Sequence, residues 1–152
     1  MINIVLYQPE IPPNTGNIIR LCANTNSILH IIEPTAFDLD TKRLRRAGLD
    51  YHDLTQVKIH ESWDHFCHSN QNITKIAYST KSNTNFDSIK YSENDYLLFG
   101  PETRGLPDQL LWNDTTTTVT IPMHASSRSI NLSNAVAIGL YEALKQTNYK
   151  QF

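Results

Sequence analysis

The feature that most constrains the fold is a repeated alternation of short apolar, β-branched runs with runs of helical periodicity. Strands are predicted at residues 2–7, 29–33, 57–60, 74–79, 96–99 and 116–121. Helices are predicted at residues 14–26, 38–47, 61–68, 107–112 and 131–144. Strands that alternate with helices indicate an α/β fold in which helices flank a mainly parallel sheet. The ligands of such sheets bind beyond the carboxyl ends of the strands.

The predicted helix ends rest on residues with known positional preferences. Asn14 is a good N-cap, so the first helix is expected to begin there, after a proline-containing loop at residues 9–13. Gly48 occupies the usual position just past a helix C-terminus, and Pro107 the first position of a helix.

Length and composition predict one globular domain over residues 1–152. Hydrophobic residues make up 39% of the chain and charged residues 18%, which is typical of a protein with one core. No apolar run approaches the roughly 20 residues of a membrane span, and the N-terminal segment lacks the basic start of a signal peptide. A cytoplasmic protein with free thiols at Cys22 and Cys67 is therefore expected. The net charge of −2 means that any nucleic-acid-binding surface must be local.

The segment at residues 121–144 joins a polar loop to a helix with a regular apolar face. Ser126, Ser127 and Ser129 lie in the loop, where hydroxyls and unpaired backbone N–H groups that point the same way would suit a carboxylate or a phosphate. The alternative is an ordinary serine N-cap on an ordinary core helix.

Three segments follow predicted strands and are expected to meet at one edge of the sheet. They are residues 9–20, residues 100–107 and the serine-containing loop. Two glycines and two prolines specify the backbone of residues 100–107 tightly, and a ligand can approach Gly100 closely because this residue has no Cβ. Such a rigid loop is also compatible with a simple turn.

The same three segments carry ordered motifs. They read NTGNIIR at residues 14–20, LLFGPETRGLP at residues 97–107, and IPM followed by SINLSNA at residues 121–123 and 129–135. In order and spacing they resemble the motifs of the SpoU branch of the SPOUT RNA methyltransferases. The segment KRLRRAGLDYH at residues 42–52, in a chain without a further RNA-binding domain, is most similar to the minimal subfamily that methylates the ribose 2′-hydroxyl of the tRNA wobble nucleotide.

The resemblance implies an S-adenosyl-L-methionine-dependent enzyme whose C-terminal segment forms a trefoil knot. It also implies a homodimer, with the first and last helices at the interface, that acts on the tRNA anticodon stem-loop. No G-x-G-x-x-G sequence occurs, which agrees with a cofactor site unlike that of Rossmann proteins. The residues that the resemblance assigns to the cofactor site, largely through backbone groups, are Tyr78, Gly100, Ile121, Ser129 and Leu132.

Arg20 ends the first motif and is the predicted catalytic residue. Methyl transfer to a ribose oxygen requires that the sulfonium and the hydroxyl be aligned and that the hydroxyl proton be removed. A guanidinium is effectively never deprotonated in a protein, so Arg20 is predicted to clamp phosphate and ribose and to stabilise negative charge on the oxygen. Water or an RNA phosphate would take the proton. The alternative is a solvated arginine on the first helix.

A basic cluster is the predicted RNA-docking surface. It comprises Lys42, Arg43, Arg45 and Arg46, among which Arg43 and Arg46 are the chosen substrate-binding residues. The alternative for this cluster is a solvated helix face. Tyr141 on the last helix is predicted to stack on the RNA or to bond to it, although an aromatic residue there is by default part of the core or of an interface.

Metal binding is not predicted. His60, His65, Cys67 and His68 lie close in sequence, but a helix turns Cys67 away from His65 and His68, and no second ligand pair follows. Two other functions stay open. One is a catalytically silent RNA-binding module of the same fold, and the other is a methyltransferase that acts on a small molecule and would not use the basic cluster.

Overall fold

The computed structural model describes residues 1–40, 48–54 and 56–152. The strands are β1 (Asn3–Tyr7), β2 (Ile28–Ile32), β3 (Val57–His60), β4 (Lys75–Tyr78), β5 (Tyr96–Phe99) and β6 (Thr116–Val119). The α-helices are α1 (Pro12–Asn24), α2 (Tyr51–Leu54), α3 (Trp63–Ser69), α4 (Asp108–Leu111) and α5 (Leu132–Gln146). A short 3-10 helix spans Phe86–Ser88.

The six strands form one sheet in the order β3-β2-β1-β5-β4-β6, and every adjacent pair is parallel. The prediction of an α/β fold with a mainly parallel sheet is confirmed. Val5 on β1 pairs with His30 on β2 and with Leu98 on β5, so the first strand lies inside the sheet. The chain moves outward from β1 to β3 on one side and continues with β4 and β5 on the other. A crevice is expected at such a change of direction, beyond the carboxyl ends of the strands.

Both faces of the sheet are covered. Leu97 and Phe99 of β5 point into a core that contains residues of α1 and α5, while Leu98 points into a second core with residues of α3 and α4. Strands that are buried on both faces read as continuous apolar runs, which is why the residues of β5 were recognisable in the sequence. Among the described residues, no helix is long and apolar enough to cross a membrane.

Several helix starts differ from the expectation. Helix α4 begins at Asp108, with Pro107 as its N-cap and not its first residue, and α3 begins at Trp63 and not at residue 61. Helix α1 begins at Pro12 and not at Asn14, because proline fits the first turn of a helix, where its missing N–H leaves no bond unmade. Asn14 is therefore free to use its buried side chain elsewhere. Helix α5 is capped by Asn131, whose Oδ1 accepts hydrogen bonds from the backbone N–H groups of Ser133 and Asn134. The alternative of a serine cap is wrong.

The expected helix at residues 38–47 is only partly within the described residues. Residues 38–40 are not helical, and residues 41–47 lie outside the part of the chain that the structure describes. Gly48 has a φ of 83°, the left-handed conformation expected for it. Strand order and register do not test the trefoil knot, which stays a prediction.

Candidate functional site

A cavity of about 530 Å³ lies beyond the carboxyl ends of β4, β5 and β6. Its walls come from residues 78–81 and 99–106, from residues 120, 121, 123, 128–132 and 135, and from Ile11 and Asn14 near the start of α1. The predicted meeting of three strand exits is confirmed. A fourth segment, the start of the loop after β4, also contributes, since Thr80 and Lys81 line the cavity.

All five residues that the resemblance assigned to the cofactor line this cavity, namely Tyr78, Gly100, Ile121, Ser129 and Leu132. The structure thus brings together positions that come from three separate parts of the sequence. Their role in binding stays a prediction.

Gly100 is required by the protein's own backbone. A Cβ at this position would lie 2.4 Å from the carbonyl carbon of Gly105 and from the nitrogen of Leu106. The loop turns back on itself because Gly105 adopts a φ of +67° and its N–H donates to the carbonyl oxygen of Pro101 at 2.9 Å. The reason for glycine here differs from the predicted one, since on this side backbone and not a ligand approaches it.

A polar chain joins the three motif segments. The carboxylate of Glu102 accepts hydrogen bonds from the backbone N–H groups of Glu10 and Ile11, at 2.8 and 3.1 Å, and from Asn14 Nδ2 at 3.2 Å. Asn14 Oδ1 in turn accepts a bond of 3.0 Å from Nδ2 of Asn131, the cap of α5. This chain of bonds fixes the relative positions of α1, the loop after β5 and the start of α5.

A second pair of bonds runs in the opposite direction between the same loops. The carboxylate of Glu10 accepts from the backbone N–H and the hydroxyl of Thr103, at 3.1 and 2.8 Å. These bonds hold the pKa of Glu10 below its ordinary value. Neither Glu102 nor Asn131 was selected from the sequence. The sequence signal that could have identified them is that each of the three segments after the strands contains a carboxylate or an amide side chain.

Tyr78 forms an aromatic wall of the cavity. Its ring stacks on that of Phe99, with centroids 4.5 Å apart and an interplanar angle of 18°. Its hydroxyl lies 2.7 Å from the hydroxyl of Tyr91, which donates to the carbonyl oxygen of Phe86 at 2.7 Å, so Tyr78 is the donor to Tyr91. Burial raises the pKa of Tyr78, and burial raises that of Tyr91 to about 12, so both hydroxyls are neutral near pH 7.

The cavity rim carries positive charge. Lys81, Arg104 and Arg128 all line it, and the ammonium of Lys81 pairs with Asp108 at 2.7 Å on the surface. Of the three loop serines, only Ser129 lines the cavity. The hydroxyl of Ser126 bonds to Nδ1 of the exposed His124 at 2.8 Å, so the serine hydroxyls do not all point toward one ligand.

Arg20 and Tyr141 are not among the residues that line the cavity. Arg20 is exposed on α1, where its Nη2 donates to the carbonyl oxygen of Gly48, just past the segment that carries the basic cluster. Tyr141 is 47% exposed on α5. Arg43 and Arg46 lie outside the described residues.

Two of the histidines, His30 and His60, form a buried pair. Nε2 of His60 lies 2.9 Å from Nδ1 of His30, and the two rings are stacked. Within the part of the chain that is described, no three His, Cys, Asp or Glu side chains come together as metal ligands.

Comparison with known proteins gives consistent matches. The model of the SpoU rRNA Methylase family matches residues 1–141. The tRNA (cytidine(34)-2'-O)-methyltransferase of Escherichia coli (strain K12) is 53% identical over 150 residues, which cover 98% of this chain and 96% of that protein. A solved structure described as giving insights into the 2-OH methylation of C/U34 on tRNA superposes with a TM-score of 0.89 at 40% identity and covers 97% of both chains.

A more distant structure shares the fold. The SpoU methyltransferase AviRb from Streptomyces viridochromogenes, solved in complex with the cofactor AdoMet, gives a TM-score of 0.79 at 24% identity. The match covers 96% of this chain and 60% of that one.

Proposed function

Because this chain belongs to the SpoU rRNA methylase family, we propose that it transfers a methyl group from S-adenosyl-L-methionine to the ribose 2′-hydroxyl of the wobble nucleotide, position 34, of tRNA. The nucleotide is cytidine or a modified uridine. The observation that carries the proposal is the meeting of the three motif segments around one cavity. The name of the Escherichia coli relative, which matches along nearly the whole chain, supports the same reaction.

S-Adenosyl-L-methionine is proposed to occupy the cavity. A volume of about 530 Å³ suits a cofactor of this size, and an aromatic wall beside backbone polar groups suits its adenosine part. When bound, this cofactor supplies an electrophilic methyl group on a sulfonium. Tyr78 and Leu132 offer apolar contact, while the backbone at Gly100, Ile121 and Ser129 offers hydrogen-bonding groups. The polar chain from Glu102 through Asn14 to Asn131 keeps these walls in place.

Arg20 is proposed to act at the border between the cavity and the RNA. Its guanidinium donates to the carbonyl oxygen of Gly48, which in the sequence follows the basic cluster that includes Arg43 and Arg46. This location suits a side chain that binds an RNA phosphate and stabilises negative charge on the attacking oxygen. Water or an RNA phosphate takes the hydroxyl proton, because a guanidinium does not act as a base near neutral pH.

A homodimer is part of the proposal. Ile138 and Tyr141 lie on the outer face of α5, with 39% and 47% of their surfaces exposed, and an apolar pair of this kind suits an interface. We place α1 and α5 at that interface, with Tyr141 close enough to its edge to contact RNA. A tRNA substrate also supports a cytoplasmic location for the enzyme.

The test is methyl transfer with purified protein, tRNA isolated from cells that lack this protein and labelled S-adenosyl-L-methionine, followed by mass mapping of the nucleosides. We expect one 2′-O-methyl group at position 34. The matched control is the same tRNA isolated from cells that contain the protein, in which position 34 is already methylated and which should accept no label. Binding of tRNA without any transfer would indicate the silent RNA-binding module instead. Transfer to a small molecule but not to tRNA would indicate a small-molecule methyltransferase.

A further inference from the structure

Gly139 of α5 packs directly against the tip of the Tyr78 side chain. A Cβ at position 139 would lie 2.7 Å from both Cζ and Oη of Tyr78. Separations this short are essentially never seen for real Cβ atoms, so a larger residue at position 139 would force a movement. The backbone of α5 is held by its own hydrogen bonds, whereas the far end of a tyrosine can turn about its side-chain bonds. The ring is therefore the part that would yield.

The face of α5 that carries Gly139 also borders the cavity. Leu132 and Ala135 line the cavity, and Gly139 follows on the same side of the helix, since residues three and four positions apart share a face. Tyr78 itself lines the cavity, so the space beside its ring includes the cavity. A ring that is pushed away from α5 would move into that space.

Tyr91 holds the ring from a second direction. Besides the bond between the two tyrosine hydroxyls, the backbone N–H of Tyr91 donates to Oε1 of Gln146 on α5 at 3.0 Å. Nε2 of Gln146 donates to the carbonyl oxygen of Ile89 at 3.2 Å. The segment that carries Tyr91 is thus attached to α5, and the Tyr78 hydroxyl is attached to that segment.

We propose that Gly139 and Tyr91 are positioning residues of the cofactor site, which hold the Tyr78 ring against α5 and so keep the cavity open for S-adenosyl-L-methionine. Gly139 provides the clearance for the ring, and Tyr91 provides the hydrogen bond that keeps it there. The inference rests on the proposed function, which places this cofactor in the cavity.

The test is a double-mutant cycle, with the affinity for S-adenosylhomocysteine measured by calorimetry in the absence of tRNA. Gly139→Ala should weaken binding by about tenfold or more, because the displaced ring occupies cofactor space. In the Tyr78→Leu background the same alanine should change affinity by less than about twofold, since leucine has no atoms that correspond to Cζ and Oη. Alanine has a higher helix propensity than glycine, so a weaker helix does not account for the loss.

Two further variants separate positioning from a general structural defect. Ser69→Ala is the control. Ser69 also lies in a helix, but it is exposed on α3, outside the three motif segments and not among the residues that line the cavity, so cofactor affinity should be unchanged. Tyr91→Phe removes only the hydroxyl and should weaken cofactor binding by about threefold to tenfold. In steady-state kinetics, Gly139→Ala should raise KM for S-adenosyl-L-methionine and leave KM for tRNA unchanged.

Unchanged affinity in Gly139→Ala would overturn the inference. An equal loss in the Tyr78→Leu background would also overturn it, because the alanine would then act through α5 and not through the ring. If the wild-type protein binds S-adenosylhomocysteine but methylates no tRNA, the proposed function fails while the cycle still decides the inference. A wild-type protein that does not bind this compound would reject both.

Discussion

His30 should make the protein less stable in mild acid. The side chain is 1% exposed, with Nδ1 2.9 Å from His60 Nε2 and Nε2 3.3 Å from Oδ1 of Asn3. Burial is the main reason that the pKa of His30 falls from its ordinary 6.5 to about 3, and the positive charges of His60 and Lys58 lower it further. The neutral ring is thus the form that the folded protein holds at any pH above about 3.

The size of this loss of stability follows from the difference between the pKa of His30 in the unfolded chain and in the folded protein. The unfolded chain takes up a proton on this histidine near pH 6.5, whereas the folded protein does not until about pH 3. The unfolded state therefore binds more protons in this window, and stability present above pH 6.5 is lost as the pH falls toward 3. For these two pKa values, the free energy of unfolding should fall by about 2 kcal/mol between pH 7.5 and pH 5. Burial also lowers the pKa of His60, so this histidine adds to the loss of stability as the pH falls.

Urea unfolding followed by circular dichroism, at one protein concentration and at several pH values from 7.5 to 5, measures this loss. Most carboxylates stay ionised over that range, so histidines dominate the change. His30→Gln keeps hydrogen-bonding groups but does not titrate, and its pH dependence should be clearly weaker than that of the wild type. His124→Gln, at an exposed position, is the matched control and should keep the wild-type dependence. A flat wild-type profile, or the same slope in His30→Gln, would refute the reasoning.

Three further predictions concern the site. Arg20→Lys should reduce single-turnover methyl transfer steeply, because lysine cannot form the bidentate contact. Arg20→Ala should reduce the rate further, on the order of 100-fold, while cofactor affinity is unchanged. Near-wild-type rates with saturating tRNA would show that Arg20 takes no part in catalysis. Replacing both Arg43 and Arg46 with alanine should weaken tRNA binding and make tRNA affinity less dependent on salt concentration, with cofactor affinity as the internal control. An unchanged salt dependence would mean that these side chains are only solvated and do not bind RNA. Gly100→Val should abolish cofactor binding measured by calorimetry and also lower the melting temperature, because its Cβ would lie 2.4 Å from backbone atoms of Gly105 and Leu106. A variant with wild-type affinity would contradict the placement of the cofactor in this cavity.

The sheet and its two large helices were predictable because their signals are local. Residues 96–99 form an uninterrupted apolar run, and the predicted strand has the same bounds as β5. The apolar face of α5 repeats at helical spacing, and Val136, Leu140 and Leu144 on that face are all buried. The five residues that are predicted to bind the cofactor were identified by another route, through motif resemblance and not through periodicity.

Helix ends and polar roles were less predictable. Asn14 has the properties of an N-cap, but Pro12 begins α1, and the amide of Asn14 bonds instead to Glu102 and Asn131. These partners are 88 and 117 residues away in sequence. A local preference for capping was overridden because the buried amide had better partners across the site.

The sequence by itself determined the α/β class, the positions of most strands, the apolar faces of the helices and, through its motifs, the family. Only the tertiary structure decided that Glu102, Asn14 and Asn131 form one polar chain, that Gly100 is a glycine because backbone crosses it, and that Gly139 makes room for Tyr78. The physical reason is the range of the interactions. Periodicity reports which face of an element is buried, whereas clearances of a few tenths of an ångström and shared hydrogen bonds exist only once distant segments have packed together.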